Sequence, residues 1–205
     1  MTTVAIIDYG MCNLDSVSRA VEECGGYPLV TDQKREIESA DRIILPGVGA
    51  FPDAMSNIRQ RFLDHILREQ VLERHIPLLG ICLGMQLLAS RGLEFTETDG
   101  LDLVPGVVDR FDTAHEDIRI PHVGWNEVYP TRSSVLFNGI PAGKDFYFVH
   151  SYHFRPSDDA DILATTPYGA GFVSAVQHDL IFGIQFHPEK SQRMGFALLK
   201  NFLSV

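Results

Sequence analysis

Ile76-Pro77-Leu78-Leu79-Gly80-Ile81-Cys82-Leu83-Gly84-Met85-Gln86-Leu87-Leu88 contains no charged residue and changes character at its centre. Up to Ile81 it reads as a short buried strand, and from Leu83 as the start of an amphipathic helix. Gly80 and Gly84 flank Cys82 two residues away on either side, the spacing of a nucleophile elbow, where small neighbours let a strained turn push one side chain outward. The first N–H groups of the helix and its dipole would face the sulfur and favour thiolate over thiol. A free cysteine is as often a small buried hydrophobe, but packing alone does not call for glycine at both offsets. The elbow leaves a base, an orienting group and an oxyanion hole to be found elsewhere.

Outward from this turn the chain alternates strand and helix. Residues 4–7 form a fully apolar run, the mark of a strand buried on both faces. A loop bearing Gly10 leads into a helix through Leu14, Val17, Ala20 and Val21, stopped by Gly25-Gly26. Strands are expected at 27–31 and 42–45, with a short polar helix at 33–39 between them. A helix over 60–73 would turn Phe62, Leu63, Ile66, Leu67 and Val71 to the core. This alternation predicts an α/β fold, a mostly parallel sheet with helices on both sides. Ligands bind such sheets beyond the carboxyl ends of the strands, where residues 8–13, residues 46–51 and Cys82 all fall. After Arg91 short strands take over, at 107–111, 126–129, 146–154, 162–166, 172–177 and 180–186, partly antiparallel and extending or covering the first sheet. A last helix is expected at 193–202, and no linker or repeat divides residues 1–205, which read as a single domain.

Composition narrows the function classes. With 205 residues, 45% hydrophobic and 21% charged, the chain suits one domain with a real core. A net charge of −10 argues against nucleic acid and anionic membranes as partners. Three cysteines at irregular spacing make neither a disulfide framework nor a metal knuckle, which points to a reducing cytosol. The N-terminal run breaks at Asp8 and lacks a basic region, so no signal peptide is expected, and no apolar run approaches membrane-spanning length. A soluble, cytoplasmic protein is the expectation. Among the eight histidines, His150 and His153 are three apart in an expected strand and face opposite sides, while His65, His75, His115, His122 and His178 show no ligand spacing. No metal and no cofactor is expected.

Two further stretches supply the missing parts. In Phe186-His187-Pro188-Glu189-Lys190-Ser191, proline holds His187 extended, and residues two apart in an extended backbone share a side. His187 and Glu189 would then lie together as a base and its orienting carboxylate, with Ser191 as a plausible cap for the last helix. Pro46-Gly47-Val48-Gly49-Ala50-Phe51 leaves the third strand through two glycines. It is either an ordinary turn or the source of a backbone N–H that joins that of Leu83 on an oxyanion.

Together, Gly80-Ile81-Cys82-Leu83-Gly84-Met85-Gln86 and His187-Pro188-Glu189 resemble the class I (triad) glutamine amidotransferases. Asp8-Tyr9-Gly10, Pro46-Gly47-Val48-Gly49, Pro121-His122-Val123-Gly124-Trp125-Asn126 and Tyr147-Phe148-Val149-His150-Ser151-Tyr152 narrow the resemblance to the glutaminase subunits of imidazole glycerol phosphate synthases, over nearly the whole chain. The resemblance implies a three-layer fold and hydrolysis of L-glutamine through a thioester on Cys82. His187 would shuttle protons, Glu189 hold the imidazole, and Leu83 with Val48 or Gly49 form the oxyanion hole. It also implies that Gln86, Glu94, Ser151 and Tyr152 bind glutamine. Ammonia would pass to a (β/α)8-barrel cyclase subunit in a heterodimer, with Asn13, Trp125, Tyr147 and Lys190 near that interface. From its own sequence context Trp125 suits an exposed anchor or a core position equally.

One position departs from the family pattern: Gly10-Met11-Cys12-Asn13 carries cysteine where the family has a second glycine. Either the turn does not need a positive φ there, or this loop sits differently. Three other readings compete. The chain could be a paralogous glutaminase serving a different barrel partner, as in amidination of a surface sugar. It could be a silent scaffold that retains the fold, or a stand-alone thiol hydrolase.

Overall fold

Alternate residues of the first strand feed two separate cores, and this sets the layers. In the computed structural model, which describes residues 1–112 and 118–205, Ala5 and Ile7 pack on one side of the sheet and Val4 and Ile6 on the other. His115 lies outside the described residues. The parallel part consists of β1 (Thr3–Ile7), β2 (Tyr27–Thr31), β3 (Arg42–Gly47) and β4 (Leu78–Cys82). Helices α1 (Leu14–Glu23), α2 (Lys34–Ser39), α3 (Phe51–Gln60), α4 (Leu63–Arg68) and α5 (Leu83–Leu87) connect or follow them. The side chains of α2 to α5 join the Ala5 face, and those of α1 and of α6 (Gln192–Leu203) the Val4 face. A strand with helices on both faces has to be apolar on both, which explains the unbroken run at 4–7.

The second half both extends and covers the sheet. Strands β5 (Arg91–Gly92), β6 (Thr98–Asp99), β7 (Gly106–Arg110), β8 (His122–Pro130), β9 (Lys144–His150), β10 (Tyr152–Pro156), β11 (Ile162–Thr166), β12 (Phe172–His178) and β13 (Ile181–Ile184) complete the described strands. Among the described residues the main sheet has nine strands in the order β2-β1-β3-β4-β13-β12-β11-β8-β9. β13 runs parallel beside β4, and β12, β11, β8 and β9 continue antiparallel. A four-stranded sheet, β10-β7-β5-β6, forms apart from it. The expectation of an α/β fold with a mixed sheet, flanking helices and added antiparallel strands holds, with parallel pairing in the main sheet confined to β2-β1-β3-β4-β13.

Two expected elements differ. Residues 146–154 are not one strand: the run breaks at Ser151, with β9 in the large sheet and β10 in the small one. The helix expected over 60–73 starts instead as α3 at Phe51, stops at Gln60, and resumes at Leu63 to end in a π-helical turn over Glu69–Glu73. Phe62 takes a left-handed conformation, φ 57°, between the two helices and is 70% exposed, whereas Leu63, Ile66, Leu67 and Val71 are buried as expected. The apolar spacing was correct for four of the five residues, but spacing alone does not show a chain reversal.

Under the elbow the backbone leaves no room for a side chain. A methyl group at Gly84 would stand 1.8 Å from the carbonyl oxygen of Leu45 in β3, and one at Gly80 would stand 2.7 Å from the carbonyl of Gly84. Packing therefore needs both glycines, contrary to the reading from spacing alone, because α5 starts directly against β3 and β4. Gly84→Ala is expected to lower stability by about 3 kcal/mol or more, since backbone rather than a flexible side chain would have to yield. Urea unfolding of the purified variant measures the loss.

Candidate active site

The turn between β4 and α5 puts Cys82 at φ 55° and ψ −111°, a region a side-chain-bearing residue enters only under constraint. The thiol ends 6% exposed at the carboxyl edge of the sheet. α5 has only five residues, so its macrodipole is small; what faces the cysteine is the first-turn N–H set, that of Leu83 first.

His187 comes from the neighbouring parallel strand, just past β13. Pro188–Lys190 form a 3-10 turn, so Glu189 reaches His187 by the turn's curvature and not by strand alternation. The pairing expected from sequence is present, with His187 Nδ1 2.8 Å from Glu189 Oε1 and the two side chains 4% and 2% exposed. Ser191 does not cap α6 with its side chain. Its Oγ donates to the His187 carbonyl at 2.6 Å and accepts the Tyr147 N–H at 3.0 Å, while the His187 N–H donates to the Tyr147 carbonyl at 2.9 Å. The His187 backbone is thus tied to β9 through its N–H directly and through its C=O by way of Ser191. Burial alone would lower the imidazole's pKa, but the Cys82 sulfur and the Glu189 carboxylate outweigh it and raise His187 to about 10. At neutral pH the ring is protonated.

A cavity of about 360 Å³ opens over this pair, within the size range of small-molecule sites. Its lining includes Val48, Gly49, Cys82, Leu83, Gln86, Glu94, Ser151, Tyr152 and His187, all singled out from the sequence. Pro121, Val149 and His150 also line it; each sits inside a stretch that carries the family resemblance, but its spacing does not mark it as a cavity residue. Glu94 accepts the Phe51 N–H at 2.8 Å, and burial raises its pKa against that bond. The Val48 N–H donates to the Met11 carbonyl at 2.9 Å, so in this arrangement it is engaged away from any oxyanion. Gly49 beside it has φ +108°, open to glycine and strained for other residues.

Cys12 lies outside the positive-φ set, whereas Gly10 has φ +86°. The departure at position 12 therefore costs the turn nothing. Burial pushes the Cys12 thiol up to about 11, and its sulfur sits 3.5 Å from the Pro46 carbonyl and 3.6 Å from that of Ile7. It stays a thiol and can donate to either.

On the outer face, Trp125 is 48% exposed on β8 and meets the Tyr147 ring edge-on at 6.1 Å, while the Lys190 ammonium lies 5.7 Å from the Tyr147 ring centre. This settles Trp125 as an exposed residue. Asn13 is exposed at the start of α1 and does not cap it with its side chain. Behind the cavity, His150 Nδ1 approaches the Tyr152 carbonyl at 2.8 Å, His122 Nδ1 approaches His150 Nε2 at 3.0 Å, and Asn126 Nδ2 approaches His122 Nε2 at 3.2 Å. A carbonyl only accepts, so each Nδ1 carries its proton and each Nε2 accepts, a directed chain of two neutral rings.

A family model described as glutamine amidotransferase class-I matches residues 5–205. A Moorella thermoacetica protein named imidazole glycerol phosphate synthase subunit HisH is 52% identical, over 98% of this chain and 94% of its own length. The protein of the same name from Nitrosococcus oceani is 44% identical over 100% and 98%. Among solved structures, a glutamine amidotransferase aligns with TM-score 0.74 at 19% identity, covering 98% of this chain and 97% of that one. A putative GMP synthase subunit from Thermoplasma acidophilum gives 0.72 at 20%, covering 100% and 93%.

Burial lowers His122 to about 4 and His150 to about 3. The unfolded chain, whose histidines titrate near 6.5, takes up protons that the folded chain refuses. The pair's stabilising contribution is complete above about pH 6.5 and is lost as pH falls toward 4 and then 3. Urea unfolding between neutral pH and pH 4 should therefore show a shallower acid dependence for His150→Gln than for the parent chain.

Proposed function

The chain belongs to the class I glutamine amidotransferases, and on that premise we propose that it is the glutaminase subunit of an imidazole glycerol phosphate synthase, releasing ammonia from L-glutamine for histidine biosynthesis. The observation that carries the chemistry is one constellation: a strained, outward-turned Cys82, a buried His187–Glu189 pair at 2.8 Å, and a cavity of about 360 Å³ over both. Residues 1–205 act as one glutaminase domain in this reading.

Cys82 Sγ adds to the side-chain carbonyl carbon of glutamine, and the oxygen becomes an oxyanion. His187, already protonated, gives its proton to the nitrogen, and the C–N bond breaks to leave ammonia and a glutamyl thioester. His187 then takes a proton from water as its oxygen attacks the thioester, and glutamate leaves with the cysteine restored. Glu189 fixes the ring and balances its charge. The Leu83 N–H is one oxyanion donor, and Val48 or Gly49 supplies the second. Glu94 is the partner for the substrate ammonium, while Ser151 and Tyr152 hold its other groups, with Gln86 at the cavity wall.

The bond from the Val48 N–H to the Met11 carbonyl supports a resting state with an incomplete oxyanion hole. Turning residues 47–49 would free that N–H, and Gly49 permits the turn. The face bearing Trp125, Tyr147 and Lys190, with Asn13, is assigned to a (β/α)8-barrel cyclase subunit in a heterodimer, which receives the ammonia before water protonates it. Among the described residues no helix is long and apolar enough to cross a membrane, and a cytoplasmic location fits a biosynthetic role. A paralogue serving another barrel partner is not favoured, since relatives at 43–52% identity share the histidine-pathway name.

Glutamate release from L-glutamine tests the reading, with the chain alone and with a cyclase subunit carrying its nucleotide ligand. Activity is expected to rise at least a hundredfold with the liganded partner and to vanish in Cys82→Ala. Full activity without partner would make it a free-standing hydrolase, and none in any mixture would exclude the assignment. Glu94→Ala is expected to raise KM for glutamine roughly tenfold or more, as loss of a charge-assisted contact does. A steady-state titration of glutamine with the assembled enzyme measures it.

A further inference from the structure

We propose that Gln185 is a catalytic residue whose side-chain amide donates a hydrogen bond to the Cys82 sulfur and holds it as the attacking thiolate. Gln185 lies two residues before His187, is fully buried, and is fixed by a bond from its own N–H to the Ser174 carbonyl at 2.9 Å. Its Nε2 stands 3.6 Å from Cys82 Sγ, and its Oε1 accepts Gln86 Nε2 at 3.0 Å.

The orientation of that amide follows from its neighbours. The Tyr152 carbonyl is an obligate acceptor, so the Gln86 atom 3.0 Å from it must be the NH2 group. The second hydrogen of that NH2 points to Gln185, so the Gln185 atom it meets must be the oxygen. The Gln185 NH2 is then left facing sulfur. Turning either amide over would set oxygen against the Tyr152 carbonyl or NH2 against NH2. A donor locked onto sulfur favours the anion, which is the better acceptor, over the neutral thiol. The carbonyl of Val149, 3.9 Å from Sγ, is the group a protonated thiol would donate to instead.

Gln86 gains a different role from the one its motif position implies. Both hydrogens of its amide are engaged by the protein, one on Tyr152 and one on Gln185. It acts as a positioning residue that sets the Gln185 amide, although it also lines the cavity. A buried amide that served packing alone would not need its donor directed at the one nucleophile.

The inference rests on the glutaminase reading only for the identity of what the sulfur attacks. Its test therefore uses no glutamine: the rate of Cys82 alkylation by iodoacetamide, followed across neutral and mildly alkaline pH. Mass spectrometry of the Cys82 peptide separates it from Cys12 and Cys24. Gln185→Met keeps the length and removes the donor, and alkylation at neutral pH is expected to slow roughly tenfold and to recover as pH rises. Gln86→Met leaves the donor but frees its orientation, with a smaller slowing in the same direction. Circular dichroism and a melting curve establish folding of each variant. A folded Gln185→Met with the parent's pH profile overturns the proposal. If that variant does not fold, a folded Gln86→Met with the parent's profile overturns it instead. Slowed alkylation in the variants of a chain that hydrolyses no glutamine with any partner would uphold the Gln185 role and count against the glutaminase reading alone.

Discussion

The contact between Gly84 and the Leu45 carbonyl is the constraint from which the site follows. α5 can begin immediately after β4 only if the helix backbone slides against β3, and only a residue without Cβ allows that approach. The slide forces the sharp reversal at Cys82 and its positive φ. It also brings the end of β3, and with it Pro46 to Gly49, alongside the nucleophile. Cys82, the Leu83 N–H and the loop that carries Val48 and Gly49 are all placed by one backbone crossing.

The base is positioned by a different logic. His187 follows closely on β13, the strand next to β4, so the parallel register of those strands brings it near the cysteine. Its orientation comes from outside the sheet plane, from Glu189 on one side and the Ser191–Tyr147 clamp on the other. Tyr147 lies beneath Lys190 and against Trp125 on the exposed face. A shift of that surface therefore bears directly on the peptide unit of the base.

The sequence made legible whatever depended on local pattern. The apolar run at 4–7, the glycine spacing around Cys82 and the His-Pro-Glu triplet each state a backbone requirement that only a few structures meet. What remained hidden depended on distant partners. Nothing near Phe62 shows that the helix reverses there, because neighbours in space decide it. The run at 146–154 looks continuous, yet Ser151 divides it between two sheets with different partners. Gln185 reads as one more buried strand residue, since its significance lies in a sulfur 103 positions away. Ser191 has the place of a cap before a helix, but tertiary contacts claim its hydroxyl instead. Cys12 could not be judged from its residue type, because its φ is set by the loop.

The pairing of β13 with β4 has a consequence for the chain's birth. The central strand of the site has one long-range neighbour that is synthesised about a hundred residues later. Until β13 arrives, Leu78–Cys82 presents an open, uncharged edge, the kind that recruits other nascent chains. The same order completes the Cys82 and His187 neighbourhood last, since His187 is synthesised only after β13. A ribosome-bound intermediate would therefore expose that edge before the site is assembled.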